Sequence, residues 1–156
     1  MVAIEREPTS EKAKILIVDD NAQNAELLQV HLEGSGFAVV TALTSEDALK
    51  KVDEDPPDLI LLDIMMPRIS GYEVCRRLKR DPVKSSIPII MVTALGEIED
   101  IEEGADSGAD DFLTKPVSKL ELLARVRSML RVRRLETELK RTLAYLDELH
   151  RKGHLA

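Results

Sequence analysis

Short apolar runs alternate along the chain with stretches in which apolar residues recur every three or four positions. Five runs read as strands: KILIV from Lys14, FAVVTA from Phe37, DLILLD from Asp58, IPIIMVTA from Ile87 and DFLT from Asp111. Several carry aliphatic residues at consecutive positions, the pattern of strands covered on both faces. Between them, Asn21 to Gly36 places Ala22, Ala25, Leu28 and Leu32 at helical spacing and closes on Gly34 and Gly36. Ser45, with Glu46 and Asp47, opens a short helix through Val52, and GYEVCRRLKRD gives a third. Glu97 to Asp106 is a weak and very acidic fourth, and Ser118 caps a long last helix running to about His150. Regular strand–helix alternation predicts an α/β fold, a doubly wound parallel sheet with helices on both faces. In such sheets ligands bind beyond the carboxyl ends of the strands.

Length and composition narrow this picture. With 156 residues the chain holds one ordinary domain and an appendage. Residues 1–13 read as a polar lead, 14–130 as the domain, and 131–156 as a helical extension. The single Cys75 excludes an intramolecular disulfide, and no apolar run is long enough for a membrane span. The first residues do not resemble a signal peptide, so the expected location is the cytoplasm. A net charge of -7 argues against nucleic acid as a partner.

The candidate chemistry lies at the strand ends. Asp19 and Asp20 follow the first strand, Asp63 ends the third, Thr93 the fourth, and Lys115 follows the fifth. A single aspartate in such a place is commonly a turn or cap residue. Five polar residues at four strand ends are not explained that way. Clustered carboxylates repel, so without a cation one of them should resist ionisation. All-oxygen ligands in a small wet site favour Mg²⁺. Lys115 supplies a point charge for a phosphate oxygen, Thr93 a hydroxyl donor, and Asp63 a nucleophile able to form an aspartyl phosphate.

ILIVDDN, DLILLDIMMPRISGYEV, PIIMVTA and DDFLTKP together resemble the receiver domain of two-component response regulators, over residues 14 to about 130. The resemblance implies a flavodoxin-like sheet of strand order 2-1-3-4-5. It implies that Asp63 accepts a phosphoryl group from a phosphohistidine on a sensor histidine kinase or histidine phosphotransfer protein. Asp20, Asp63 and the main-chain carbonyl of Met65 would hold Mg²⁺, with Asp19 acting through that ion's water. Thr93 and Lys115 would contact the phosphoryl oxygens, the Lys115-Pro116 bond would be cis, and Phe112 would turn inward as Thr93 is drawn to the phosphate. Met65 and Leu95 border the path of the hydrolytic water in this family. Both are apolar here, which predicts slow loss of phosphate. The family's members assist only their own phosphorylation and dephosphorylation, so no separate enzyme activity is expected.

The chain departs from the family pattern in three places. Arg68 and Ser70 stand in the PRISG turn, where small and acidic residues are often seen, while Gly71 is kept. The fourth helix is acidic without compensating bases and is weakened by Gly104 and Gly108. The last helix continues past the usual end of a receiver, with Val132, Leu135, Leu139, Leu146 and Leu149 at coiled-coil spacing and Thr142 at one seam position. Its basic junction (Arg125, Arg127, Arg131, Arg133, Arg134, Lys140, Arg141) suits the acidic fourth helix of the same or a second subunit. These features predict a homodimer through helix four, strand five, helix five and the coil. An alternative is the receiver and linker of a longer effector such as a cyclic-di-GMP enzyme. A haloacid dehalogenase-like phosphatase is disfavoured because Met65 stands where that family needs an acid. A dinucleotide-binding enzyme is disfavoured because VDDNAQN lacks a glycine-rich loop. His31, His150 and His154 are expected on the surface and Cys75 in the core.

Overall fold

Each unbroken aliphatic run becomes a strand with both faces covered. In the computed structural model, which describes residues 12–94 and 98–153 and only the backbone of 98–100, the strands are β1 (Lys14–Val18), β2 (Ala38–Ala42), β3 (Leu59–Asp63), β4 (Ile89–Thr93) and β5 (Asp111–Thr114). All neighbours pair in parallel, in the order β2-β1-β3-β4-β5. The helices are α1 (Ala22–Glu33), α2 (Ser45–Glu54), α3 (Gly71–Arg80), α4 (Ile98–Asp106) and α5 (Lys119–Arg151). The doubly wound, flavodoxin-like sheet expected from the sequence is therefore the fold.

Strand periodicity divides the core into two layers. Ile15, Ile17, Leu59, Leu61, Ile90 and Val92 point to one side, where Leu28 and Leu32 of α1 and Leu122 and Val126 of α5 cover them. Leu16, Val18, Ile60, Leu62, Ile89 and Met91 point to the other, against Ala48 and Val52 of α2 and Val74, Cys75 and Leu78 of α3. Both sets must be apolar, which is why the sequence shows runs in place of alternation.

Helix starts follow their caps. Asn21 accepts from the main-chain N–H of Gln23 and Asn24, Ser70 from Glu73, and Ser118 from Glu121. At α2 the cap is Thr44, which accepts from the Asp47 main-chain N–H, and Ser45 opens the helix as the sequence suggested. Ser45 is fully buried and donates its hydroxyl to the carbonyl of Ile69 at 2.6 Å. That bond ties the start of α2 to the loop after β3. Cys75 is buried, His150 is exposed and His31 is half-buried; His154 lies outside the described residues.

The acids of α4 are not without compensation, contrary to the sequence reading. Arg76 of α3 reaches Glu103 at 2.6 Å, a pairing across two helices that no single-helix pattern reveals. The basic junction is also engaged within the same chain, where Arg125 pairs with Asp111 and Glu121, and Arg133 with Asp58. Among the described residues no helix is long and apolar enough to cross a membrane.

Candidate functional site

Parallel pairing aligns the carboxyl ends of β1, β3, β4 and β5 along one edge of the sheet. Asp63 is the last residue of β3 and is in register with Val92, so Thr93 closes β4 one step further along. Asp19 follows β1 directly, and the Lys115 main-chain N–H donates to the Thr93 carbonyl at 2.7 Å. All five polar residues singled out in the sequence thus come to one crevice. The Lys115-Pro116 bond is cis, as the resemblance implied.

Burial differs sharply within the cluster. Asp19 is 2% exposed, Thr93 3% and Asp63 6%, while Asp20 is exposed. Carboxylate oxygens of Asp19, Asp20 and Asp63 lie within 4.8 Å of one another. Lys115 Nζ stands 3.3 Å from Asp19 Oδ2 and 3.5 Å from Asp63 Oδ1, so one cation faces two buried carboxylates. The Asn21 main-chain N–H donates to Asp19 Oδ1 at 2.9 Å and fixes that side chain. Asp63 is pushed above the ordinary carboxylate range by burial and by the charges of Asp19 and Asp20, against the opposing pull of Lys115 and the Met65 main-chain N–H. Burial is the largest cause.

This donor set fits a hard divalent cation. It offers only carboxylate oxygens, at mutual distances a small ion can span, with one acid open to solvent where waters can complete the shell. An ion there would offset the negative charge of Asp19 and Asp20, which adds to burial in raising Asp63.

The loop after Asp63 is built for close approach. Gly71 starts α3 with its N–H donating to the Ile64 carbonyl at 2.9 Å. A Cβ there would lie 2.3 Å from the Asp63 carbonyl oxygen and 2.8 Å from Ile64 Cα. Arg68 takes a positive φ of 70°, a conformation glycine adopts without penalty. The sequence marked this position as unusual but not why. Replacing Arg68 by glycine is expected to stabilise the fold by about 1 kcal/mol, since relief of left-handed strain outweighs the added freedom of the unfolded chain. Urea denaturation checks this, and loss of the exposed 3.7 Å pair with Glu46 should subtract little.

Phe112 on β5 is half-buried and packs with the α2–α3 layer. Its ring edge abuts Gly104 of α4, where a Cβ would lie 2.4 Å from Cε1 and 2.8 Å from Cζ. Gly104, read from the sequence only as a weak point in α4, is the residue that makes room for the ring. Met65 is 63% exposed beside the site, and Leu95 lies outside the described residues.

The response regulator receiver domain model matches residues 15–127. The chain belongs to the response regulator receiver family. Its receiver is 46% identical over 118 residues to the DNA-binding dual master transcriptional regulator RpaA of Synechocystis, covering 76% of this chain and 49% of RpaA. It is 45% identical over 128 residues to the response regulator PleD of Caulobacter vibrioides, covering 82% of this chain and 28% of PleD. A CheY-like receiver domain protein from Methanospirillum hungatei superimposes with a TM-score of 0.76 at 28% identity, covering 81% of this chain and 99% of that one. The chain thus spans half or less of the two regulators, and the receiver is the part they share.

Proposed function

We propose that this receiver accepts a phosphoryl group on Asp63 from a phosphohistidine donor and signals by a change in association. The observation that carries the reading is the placement of a buried carboxylate, Asp63, with Lys115 3.5 Å away and two further carboxylates within 4.8 Å. A carboxylate oxygen of Asp63 attacks phosphorus in line with the donor's P–N bond. The P–O bond forms, the P–N bond breaks, and the imidazole leaves with the electron pair. Lys115 turns from the carboxylates toward the phosphoryl oxygens, and the Thr93 hydroxyl donates to another. Asp20, Asp63 and the Met65 carbonyl would hold Mg²⁺, with Asp19 oriented by Asn21 acting through its water. Bound there, the ion supplies neutralisation of the crowded negative charge.

Readout follows from charge. The phosphoryl group brings nearly two negative charges and three acceptors into the crevice, and drawing Thr93 toward them vacates space beside β5. The Phe112 ring fills it and is held by packing, since it has no hydroxyl. The segment from residue 131 acts as an association element on the receiver of residues 14–130, in a homodimer through α4, β5 and α5. The sensor kinase or phosphotransfer protein is the upstream partner. The match to PleD supports a second arrangement, in which the same receiver and helix precede an effector in a longer protein.

Phosphoramidate with Mg²⁺ is expected to add one phosphoryl group, mapped by peptide mass spectrometry to Asp63; modification elsewhere, or none, overturns the reading. The Phe112 readout has its own test in Gly104→Ala. Because the obstruction is the tip of a movable ring, this variant should fold with stability within about 1 kcal/mol of wild type. It should take up phosphate normally and yet associate several-fold more strongly, because the added methyl displaces the ring from its resting place toward the space it fills on activation, as measured by light scattering. An unchanged response would remove Phe112 from the switch.

A further inference from the structure

We infer that α5 beyond the receiver pairs with α5 of a second copy as a parallel, in-register two-stranded coil, an inference that rests on the dimer reading above and adds orientation and register to it. Val132, Leu135, Leu139, Thr142, Leu146 and Leu149 follow spacings of three and four residues along one unbroken helix. Four of these apolar residues are between 43% and 58% exposed, so the stripe faces water along its length. A two-stranded coil covers such a seam with an identical one.

The residues flanking the seam choose the orientation. In a parallel in-register pair, Arg131 stands opposite Glu136 of the second copy, and the contact occurs twice by symmetry. In an antiparallel pair with the two seams overlapped, Arg131 instead meets Lys152 of the second copy, and Glu136 meets Leu143. Arg131, Glu136 and Lys152 are all exposed and placed to make these contacts. The parallel arrangement gives two attractions where the antiparallel one gives two repulsions. Thr142 agrees with this choice. In parallel it faces Thr142 of the second copy, where the hydroxyls can bond to each other, while in antiparallel it is set against Leu139. A single polar seam position is a known means of fixing register.

Continuity with the receiver points the same way. Four and seven residues before Val132 the stripe runs through Ser128 and Arg125, and Arg125 is bonded to Asp111 of β5. A parallel pair therefore sets the β5–α5 faces of two receivers side by side. An antiparallel pair would hold them apart by the length of the extension, about 30 Å for residues 132–151. The helix is anchored as it leaves the domain, since Arg133 donates to the Asp58 carbonyl at 2.6 Å. A change at the receiver face is then carried into the coil.

The test uses the full chain with Mg²⁺ and beryllofluoride, an acyl phosphate mimic, and two single variants, Leu135→Cys and Leu146→Cys. Cys75 is buried, so the parent chain serves as the uncrosslinked control. The expected result is that each variant alone forms a covalent dimer on mild oxidation. Glu136→Arg should weaken the dimer on the order of tenfold, because two attractions become repulsions, and adding Arg131→Glu should restore it. A dimer by light scattering whose cysteines join only when the two variants are mixed, or not at all, overturns the orientation and leaves the dimer standing. Single-chain mass in every sample overturns the dimer reading and this inference with it.

Discussion

Asp63→Asn is expected to abolish phosphoryl uptake and, in buffer without divalent cations, to raise the stability of the fold by about 1 kcal/mol. Uptake is lost because the amide is not a nucleophile for phosphorus and no other carboxylate occupies the end of β3. Stability rises because the wild-type site holds three carboxylates within 4.8 Å of one another with Lys115 facing two of them. Lys115 keeps its contact with Asp19 in the variant. The pH course gives the sign. Asp63 titrates above its ordinary value of 3.8 in the folded protein, so at intermediate pH the native state keeps a proton that the unfolded chain has released. The stability due to this group is fully present below the unfolded value and is lost as pH rises through the raised one. The advantage of Asp63→Asn therefore opens over that interval and is complete above it. Mg²⁺ should raise the melting temperature of the wild type and leave the variant nearly unmoved. Thermal melts from acid to neutral pH, with and without Mg²⁺, check all three statements. A wild type more stable than the variant at neutral pH without cations would contradict the electrostatic account of the site.

The second large effect belongs to Gly71→Ala, which should destabilise the fold by about 3 kcal/mol. For a chain of this size that lowers the melting temperature by roughly 10 °C. The new Cβ would meet the Asp63 carbonyl oxygen at 2.3 Å and Ile64 Cα at 2.8 Å. Both obstacles are main chain, so no rotamer change relieves the clash. The start of α3 must move away, or the end of β3 must shift and carry Asp63 with it. Gly104→Ala makes the useful contrast. Its nearest obstacle is also at 2.4 Å, but it is the edge of a side chain that can turn. Two glycine substitutions with similar clash distances should thus differ by several-fold in their effect on stability. Denaturant unfolding of both variants measures this, and equal losses would show that α3 can slide along β3.

The sequence exposes the sheet and the crevice for a plain physical reason. Strands buried on both faces must be aliphatic at every position, so their ends are visible wherever charges begin, as at Asp19 and Asp63. Helix starts are legible at Ser45 and Ser118. The cap of α2 is Thr44, while the Ser45 hydroxyl goes to the Ile69 carbonyl, 24 residues away, a contact that no local pattern reveals. What stays hidden is everything that needs a distance between elements. The pairing of Arg76 with Glu103, the ring of Phe112 against Gly104, and the close approach of Gly71 to β3 leave no periodicity to read. Arg68 is an intermediate case. Its residue type drew notice, but only the backbone shows the positive φ that makes glycine the better fit.

Phosphorylation of Asp63 is expected to change the association of this receiver. Sedimentation velocity of the wild type and of Asp63→Asn, each with Mg²⁺ and each with and without beryllofluoride, measures this. The expected result is that beryllofluoride moves the wild type from one-chain to two-chain mass and leaves Asp63→Asn where it was. The same sedimentation in all four samples would mean that phosphorylation of Asp63 does not control association.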